Sequence, residues 1–147
     1  MLRNVLSRSA RLTVAGMAAH IPHRQGSEKA PDIAGVAHLI IDCSAPAALA
    51  GWWEQLLGGN LKLHNDSEAQ LDAPGLTLYF VAVPEPKATK DRLHIDLHSR
   101  DYEAAVSQAL ALGATAAPDV YTGAGWYVLR DPEGNEFCVL DARPPGP

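Results

Sequence analysis

The sequence predicts an α+β domain built from two copies of one strand–helix–strands module. His38 and His94 each stand near the start of an apolar, β-branched run and are 56 residues apart. Gly58 and Gly113 each end a helical pattern and are 55 residues apart. A unit of this length repeated twice forms a duplicated pair, because a solenoid needs three or more repeats.

The first module begins with a run at 36–43 that predicts a strand. Pro46 stands where the first turn of a helix accepts proline, and apolar residues at helical spacing predict a helix over 47–57. Shorter strands are expected after this helix, at 60–64, 70–71 and 76–83. A polar, proline-bearing link at 84–91 then separates the modules.

The second module repeats this order. A strand is expected over 92–98, and Asp101 can cap a helix from about 102 to 112. Asp131 and Gly134 bracket a tight turn. The remaining strand candidates are 114–117, 120–121, 125–130 and 136–140.

Composition restricts the class of protein. The chain has 147 residues, of which 47% are hydrophobic, enough for one domain with a core and a tail. The net charge of −5 argues against nucleic-acid binding, and no apolar run is long enough to span a membrane. Cys43 and Cys138 form no CxxC motif, so we expect free thiols and a cytoplasmic protein.

The first 27 residues differ from the rest because they contain four arginines and no acid. A mitochondrial transit peptide, a disordered basic tail and translation starting at Met17 all fit this composition. In each case the segment lies outside the folded domain. We therefore expect a tail over 1–30, a domain over 31–142 with modules at about 33–84 and 91–141, and a disordered end over 143–147.

Strand alternation places the histidines opposite the apolar side chains. We expect the apolar faces of the two first strands to pack under the helices, so the other faces point away from the core. These polar faces carry His38, Ile40 and Asp42 in the first module and His94, Asp96 and His98 in the second.

Several motifs, in the same order along the chain, resemble glyoxalase-like proteins of the vicinal-oxygen-chelate (glyoxalase/bleomycin resistance/dioxygenase) superfamily. The similarity runs from about 33 to 141. It rests on Leu-Ile-Ile-Asp-Cys-Ser-Ala-Pro at 39–46, Val-Pro-Glu-Pro-Lys at 83–87, Arg-Leu-His-Ile-Asp-Leu at 92–97, Leu-Ala-Leu-Gly-Ala at 110–114 and Asp-Pro-Glu-Gly-Asn-Glu-Phe-Cys at 131–138.

The resemblance implies two βαβββ modules whose mixed sheets curl into a cup with helices on the outer face. Such cups hold a small molecule or a divalent metal and are often completed in a homodimer. Relatives include isomerases, ring-cleaving dioxygenases and antibiotic-binding proteins that catalyse nothing. Family membership therefore leaves the activity open.

The same resemblance gives the positions of metal ligands: a His or Gln on the first strand and a Glu on the last strand of each module. His38 and His94 fill the first-strand positions, but Cys138 stands where the second Glu belongs. The matching strand of the first module offers only Tyr79 as an ionisable residue. We therefore expect no metal cofactor. The alternative is one divalent ion held by His38 and His94, with Cys138 suiting zinc.

The roles of four other side chains stay open at this point. Asp96 either orients His94 for proton transfer or satisfies local donors. Either Trp126 or Tyr127 forms an aromatic wall, and Cys138 acts as a nucleophile only if its pKa is lowered.

The functional prediction is a protein that binds a small organic ligand in its cup, without metal and with no assigned catalytic activity. The predicted ligand-binding residues are His38, His94, Asp96, Trp126 and Cys138. The alternative is a metal-dependent lyase, isomerase or dioxygenase that uses His38 and His94.

Overall fold

The computed structural model describes residues 36–120 and 125–142, which belong to one structural unit. The tail expected over 1–30, the end expected over 143–147 and Tyr121 of the strand expected at 120–121 lie outside the described residues. Within the described part of the chain, no helix is long and apolar enough to cross a membrane.

The first module is a four-stranded mixed sheet with one helix. Its elements are β1 (Leu39–Cys43), α1 (Pro46–Leu57), β2 (Asn60–Asn65), β3 (Glu68–Ala73) and β4 (Leu76–Ala82). The strand order is β1-β4-β3-β2, with β1 parallel to β4 and the other neighbours antiparallel. β1 therefore lies at the edge of its sheet.

The second module has the same connections, which confirms the predicted α+β fold and its duplication. Its elements are β5 (Ile95–Ser99), α2 (Tyr102–Ala111), β6 (Thr115–Ala116), β7 (Trp126–Arg130) and β8 (Glu136–Asp141). The order is β5-β8-β7-β6, and β5 is the edge strand, parallel to β8.

Strand boundaries were the weak part of the prediction. β1 and β5 each begin three residues later than expected, and Val120 lies in a turn, not in a strand. β3 has six residues where two were expected. Its polar positions alternate with the buried Ala69 and Leu71. A strand with one polar face contains few apolar residues, so its full length is hard to predict from the hydrophobic pattern.

One hydrophobic core joins the two modules. Leu39 and Ile41 of β1 pack against it, as the alternation predicted. The largest fully buried side chains come from both modules: Trp53, Phe80, Leu49, Leu71 and Leu78 from the first, and Phe137, Leu129 and Val139 from the second. The modules therefore depend on each other for burial of apolar surface.

The turn at 131–135 connects the second module to the start of α1. Ala45 precedes α1 and has no side-chain oxygen to cap the helix, and the Glu133 carboxylate instead holds the two residues just before it. It accepts hydrogen bonds of 2.8 Å from Ser44 N, Ser44 Oγ and Ala45 N. Burial opposes ionisation of Glu133, but these hydrogen bonds outweigh it and lower the pKa of the carboxyl group. This turn thus stabilises the fold by holding the start of α1 against the second module.

Both tryptophans of α1 also contact the second module. Trp52 Nε1 donates to the Leu112 carbonyl at 2.9 Å, and Trp53 Nε1 donates to Asp131 Oδ2 at 3.2 Å. The buried Asp131 carboxylate additionally accepts the backbone N–H groups of Glu133 and Asn135. Its charge is stabilised by these donors, so its burial is not costly.

Candidate functional site

Each sheet turns one face away from the shared core. The first open face belongs to β1–β4, where the register aligns Ile40, Tyr79, Gln70 and Lys62 in one row. The second open face belongs to β5–β8, where the register aligns Asp96, Cys138 and Val128. All five predicted ligand-binding residues lie on or directly beside these two faces.

Aromatic rings meet on the first open face. The His38 ring centroid lies 4.6 Å from that of Tyr79, and the His64 ring is stacked on Tyr79 at 6.1 Å. His64 Nε2 is 3.1 Å from Gln70 Oε1. His64 was not among the predicted site residues, although the polar alternation of β2 indicated that it shares a face with Lys62.

An ion pair lies further along the same face. Lys62 Nζ is 2.6 Å from Asp72 Oδ2, and Gln70 Nε2 donates to Asp72 Oδ1 at 2.6 Å. The hydrogen bond from Lys62 is the main cause of the lowered pKa of Asp72. Polar contacts therefore connect Lys62, through Asp72 and Gln70, to the ring of His64.

The second open face brings three predicted residues together. Donor atoms of His94, Asp96 and Cys138 all lie within 4.8 Å of one another. His94 Nε2 is 3.0 Å from Asp96 Oδ1, so the carboxylate orients the imidazole. Of the two interpretations of Asp96, this contact supports the pairing with His94. Among the described residues, neither His38 nor Trp126 belongs to this cluster.

A short segment covers part of the second open face. Ala117 and Val120 pack on Val128 and Cys138, which leaves Cys138 only 2% exposed. We call residues 117–120 the covering segment. Its Asp119 carboxylate makes two hydrogen bonds to Arg130, of 2.9 and 2.6 Å. Nothing in the sequence indicated that this segment would cover Cys138.

The two aromatic candidates of β7 point to opposite sides. Trp126 pairs with Leu140, which packs near Cys138, and its side chain is partly exposed on the second open face. Tyr127 alternates to the other side of the sheet. Trp126 is therefore the aromatic side chain that a ligand on this face can touch.

Glu136 lies on the second open face, but its carboxylate already contacts other protein groups. Its carboxylate lies 2.9 Å from Lys87 Nζ, 2.9 Å from the Asp91 backbone nitrogen and 3.6 Å from Arg130 Nε. Burial alone would raise its pKa, but the hydrogen bonds from Asp91 and Lys87 outweigh burial and lower the pKa to about 2. Glu136 is thus a structural carboxylate.

The two cysteines have different surroundings. Neither forms a disulfide. Cys43 is buried in the main core, where burial above all, together with nearby Glu133, raises its pKa to about 11. A thiol held protonated in this way is unreactive. Cys138, in contrast, lies beside the pair formed by His94 and Asp96.

A cleft of about 460 Å³ lies beside the two edge strands. Ile40 and Asp42 of β1 line one side, and Leu93 and His94 line another. Ile40 is 60% exposed and Leu93 is 72% exposed. This volume is in the range of small-molecule sites, and its walls combine apolar side chains with a few polar groups.

The fold and the two open faces define a class of proteins with paired βαβββ modules, the vicinal-oxygen-chelate superfamily. Residues 38–140 match the sequence profile of the glyoxalase-like domain family. The chain belongs to this family. No curated protein shows significant sequence similarity to it.

Solved structures share the fold. One is a variant of the fosfomycin resistance protein FosX from Listeria monocytogenes, bound to Mn(II) and dihydroxypropylphosphonic acid. It is 14% identical, with a TM-score of 0.62, over 74% of this chain and 90% of FosX. A glyoxalase/bleomycin resistance protein/dioxygenase family enzyme from Burkholderia phytofirmans PsJN is 22% identical, with a TM-score of 0.58, over 73% of this chain and 98% of its own.

A third structure, an integron cassette protein from V. cholerae, is 20% identical, with a TM-score of 0.55, over 78% of this chain and all of its own. These low identities establish the fold and leave the ligand open.

Proposed function

We propose that this protein binds a small organic ligand in a cup formed by the open faces of two copies of the chain. The observation that carries the proposal is the position of the predicted polar residues. His38 and His94 stand at the starts of edge strands, on or beside open faces that also carry Tyr79 and Trp126. Polar groups beside aromatic and apolar walls are typical of small-molecule sites.

The edge strands support a second copy as the partner. The outer edges of β1 and β5 present backbone groups available for pairing, and proteins normally cover such edges. The exposed side chains of Ile40 and Leu93 lie along these edges. Pairing β1 of one copy with β5 of another joins the two sheets and brings His38 towards the cluster of His94, Asp96 and Cys138. Two such contacts related by a twofold axis close a dimer.

Ligand binding is tested by screening a fragment library against the full chain with ligand-observed NMR. We expect fragments whose affinity falls about tenfold or more in His38→Ala or His94→Ala, because each substitution removes a polar contact in the cup. Tyr127→Phe is the matched control, since Tyr127 lies on the opposite side of its sheet. Fragments that bind both histidine variants as tightly as the wild type would contradict the site.

The dimer is tested by light scattering after size exclusion. The wild type is expected to have twice the mass of one chain. Ile40→Glu and Leu93→Glu should each shift it towards the mass of one chain, because a charge at the strand edge opposes pairing. Leu110→Glu is the control, since Leu110 is an exposed apolar residue on α2. A wild type with the mass of one chain at micromolar concentrations would rule out the dimer.

A second candidate function is metal-dependent, and the cluster of His94, Asp96 and Cys138 favours it. Nitrogen, oxygen and sulfur donors within 4.8 Å of one another fit the ligand set of zinc. The thiol favours a softer ion than the Mn(II) in the FosX structure. A bound zinc ion would supply Lewis-acid chemistry. Asp96 would provide a carboxylate ligand in place of the last-strand Glu that metal-binding relatives have and this chain lacks.

This candidate predicts about one zinc ion per chain after incubation with zinc and desalting, measured by elemental mass spectrometry. We expect His94→Ala and Cys138→Ser each to lose the ion, because either substitution leaves only two protein donors, which hold zinc weakly. His64→Ala is the control, since His64 lies on the first open face. Zinc retained in Cys138→Ser, or no zinc in the wild type, would reject the cluster as a metal site.

A further inference from the structure

We infer that the cup selects neutral or positively charged organic ligands and rejects anions. This inference rests on the proposed function and specifies the ligand class of that same site. It concerns the metal-free chain. FosX, which shares the fold, was solved with a phosphonic acid, which is an anion. The ligand inferred for this chain therefore differs in charge from the one in that FosX structure.

The charges of the strands are unbalanced. In the strands that the structure describes, Lys62 and Arg130 are the basic residues other than histidine. Five carboxylates share the open faces with them, as the alternation and register place them: Asp42, Glu68, Asp72, Asp96 and Glu136. Lys87 of the linking segment adds a third cation beside Glu136, so five carboxylates still outnumber the cations next to them. The field above the two faces is therefore negative, and it opposes the approach of an anion.

Both strand cations are held in ion pairs. Lys62 Nζ lies 2.6 Å from Asp72. Arg130 makes two hydrogen bonds to Asp119 and lies 3.6 Å from Glu136. A phosphonate or carboxylate ligand would have to displace a protein carboxylate to reach either cation, and each displacement would leave that carboxylate without its partner.

The other carboxylates and the aromatic rings on the open faces favour a positively charged ligand. Asp42 is exposed at the cleft beside β1, and the Asp96 side chain is 49% exposed on the second open face. Trp126, which is 36% exposed, places an aromatic ring on the second open face, and the rings of Tyr79, His38 and His64 lie together on the first. Carboxylates beside aromatic rings recognise organic ammonium groups by charge attraction and by cation–π contact.

The test uses three probes of the same shape and different charge: benzyltrimethylammonium, benzyl alcohol and benzylphosphonate. Each is titrated into the full-length, chelator-treated protein, and the dissociation constants are measured by NMR. We expect the ammonium probe to bind roughly fivefold or more tightly than the phosphonate. Asp42→Asn and Asp96→Asn should each reduce this ratio. Glu103→Gln should leave it unchanged, because Glu103 lies on α2, which covers the core side of the sheet.

The outcomes separate this inference from the proposed function. If the phosphonate binds as tightly as the ammonium probe, or if both aspartate variants keep the wild-type ratio, the inference is wrong and the cup remains a binding site. If none of the three probes binds, the inference is wrong, and the proposed function then stands or falls on the fragment screen with the histidine variants. A ratio that falls in the aspartate variants and not in Glu103→Gln supports the inference.

Discussion

Replacing Trp53 by alanine is expected to lower the free energy of unfolding by about 4 kcal/mol. The Trp53 side chain is 2% exposed and packs at the junction of the two modules. Its ring centroid lies 5.3 Å from that of Trp52 and 5.2 Å from that of Phe137. The substitution opens a cavity in the shared core and removes the indole donor from the buried Asp131 carboxylate.

Urea denaturation at one fixed protein concentration measures this effect. Trp53→Phe separates its two causes, because phenylalanine keeps most of the packing and loses the hydrogen bond. We expect this variant to lose about 1–2 kcal/mol. Trp126→Ala is the surface control and should change stability by less than about 1 kcal/mol. Equal losses in Trp53→Ala and Trp126→Ala would show that the modules do not share a core at Trp53.

The second large effect is expected at Glu136. Glu136→Gln keeps the shape of the side chain but removes the charge that Lys87 contacts at 2.9 Å. It also weakens the acceptor of the Asp91 backbone N–H. We expect a loss of about 2–3 kcal/mol at pH 7, because a half-buried lysine is left without its nearest carboxylate.

The same residue makes stability depend on pH. The pKa of Glu136 is lowered from its ordinary 4.5 to about 2 in the folded protein. A carboxyl group of this kind adds stability above its unfolded pKa and loses it as the pH falls through its folded pKa. Wild-type stability should therefore decrease as the pH falls from about 5 to about 2. Burial raises the pKa of Asp91, with Glu136 adding to the effect, and this partly offsets the change.

Unfolding curves at several pH values check this expectation. Glu136→Gln should flatten the dependence in the acid range, because the titrating group is gone. Glu68→Gln is the control, since Glu68 is a strand carboxylate on an open face that is only half-buried, whereas Glu136 is buried. An unchanged acid-range slope in Glu136→Gln would mean that Glu136 does not stabilise the fold through its charge.

The candidate site was predictable where it depended on a single strand. Alternation placed His38 and His94 opposite the apolar residues that pack in the core. Contacts that join distant strands were harder to predict. Three contacts appeared only in the structure: His64 on Tyr79, the convergence of Cys138 with His94 and Asp96, and the cover over Cys138.

Local sequence patterns were sufficient for the duplicated α+β architecture, the two helices and the faces of the main strands, because periodicity and helix ends depend on neighbouring residues. Long-range packing decided the rest. It brings Glu133 into hydrogen bonds at the start of α1 and Glu136 into an ion pair with Lys87, so neither carboxylate is available to a ligand. It also left β1 and β5 as edge strands. Which groups a carboxylate meets, and which edge stays open, depends on residues that are far apart in the chain and come together only in the folded protein.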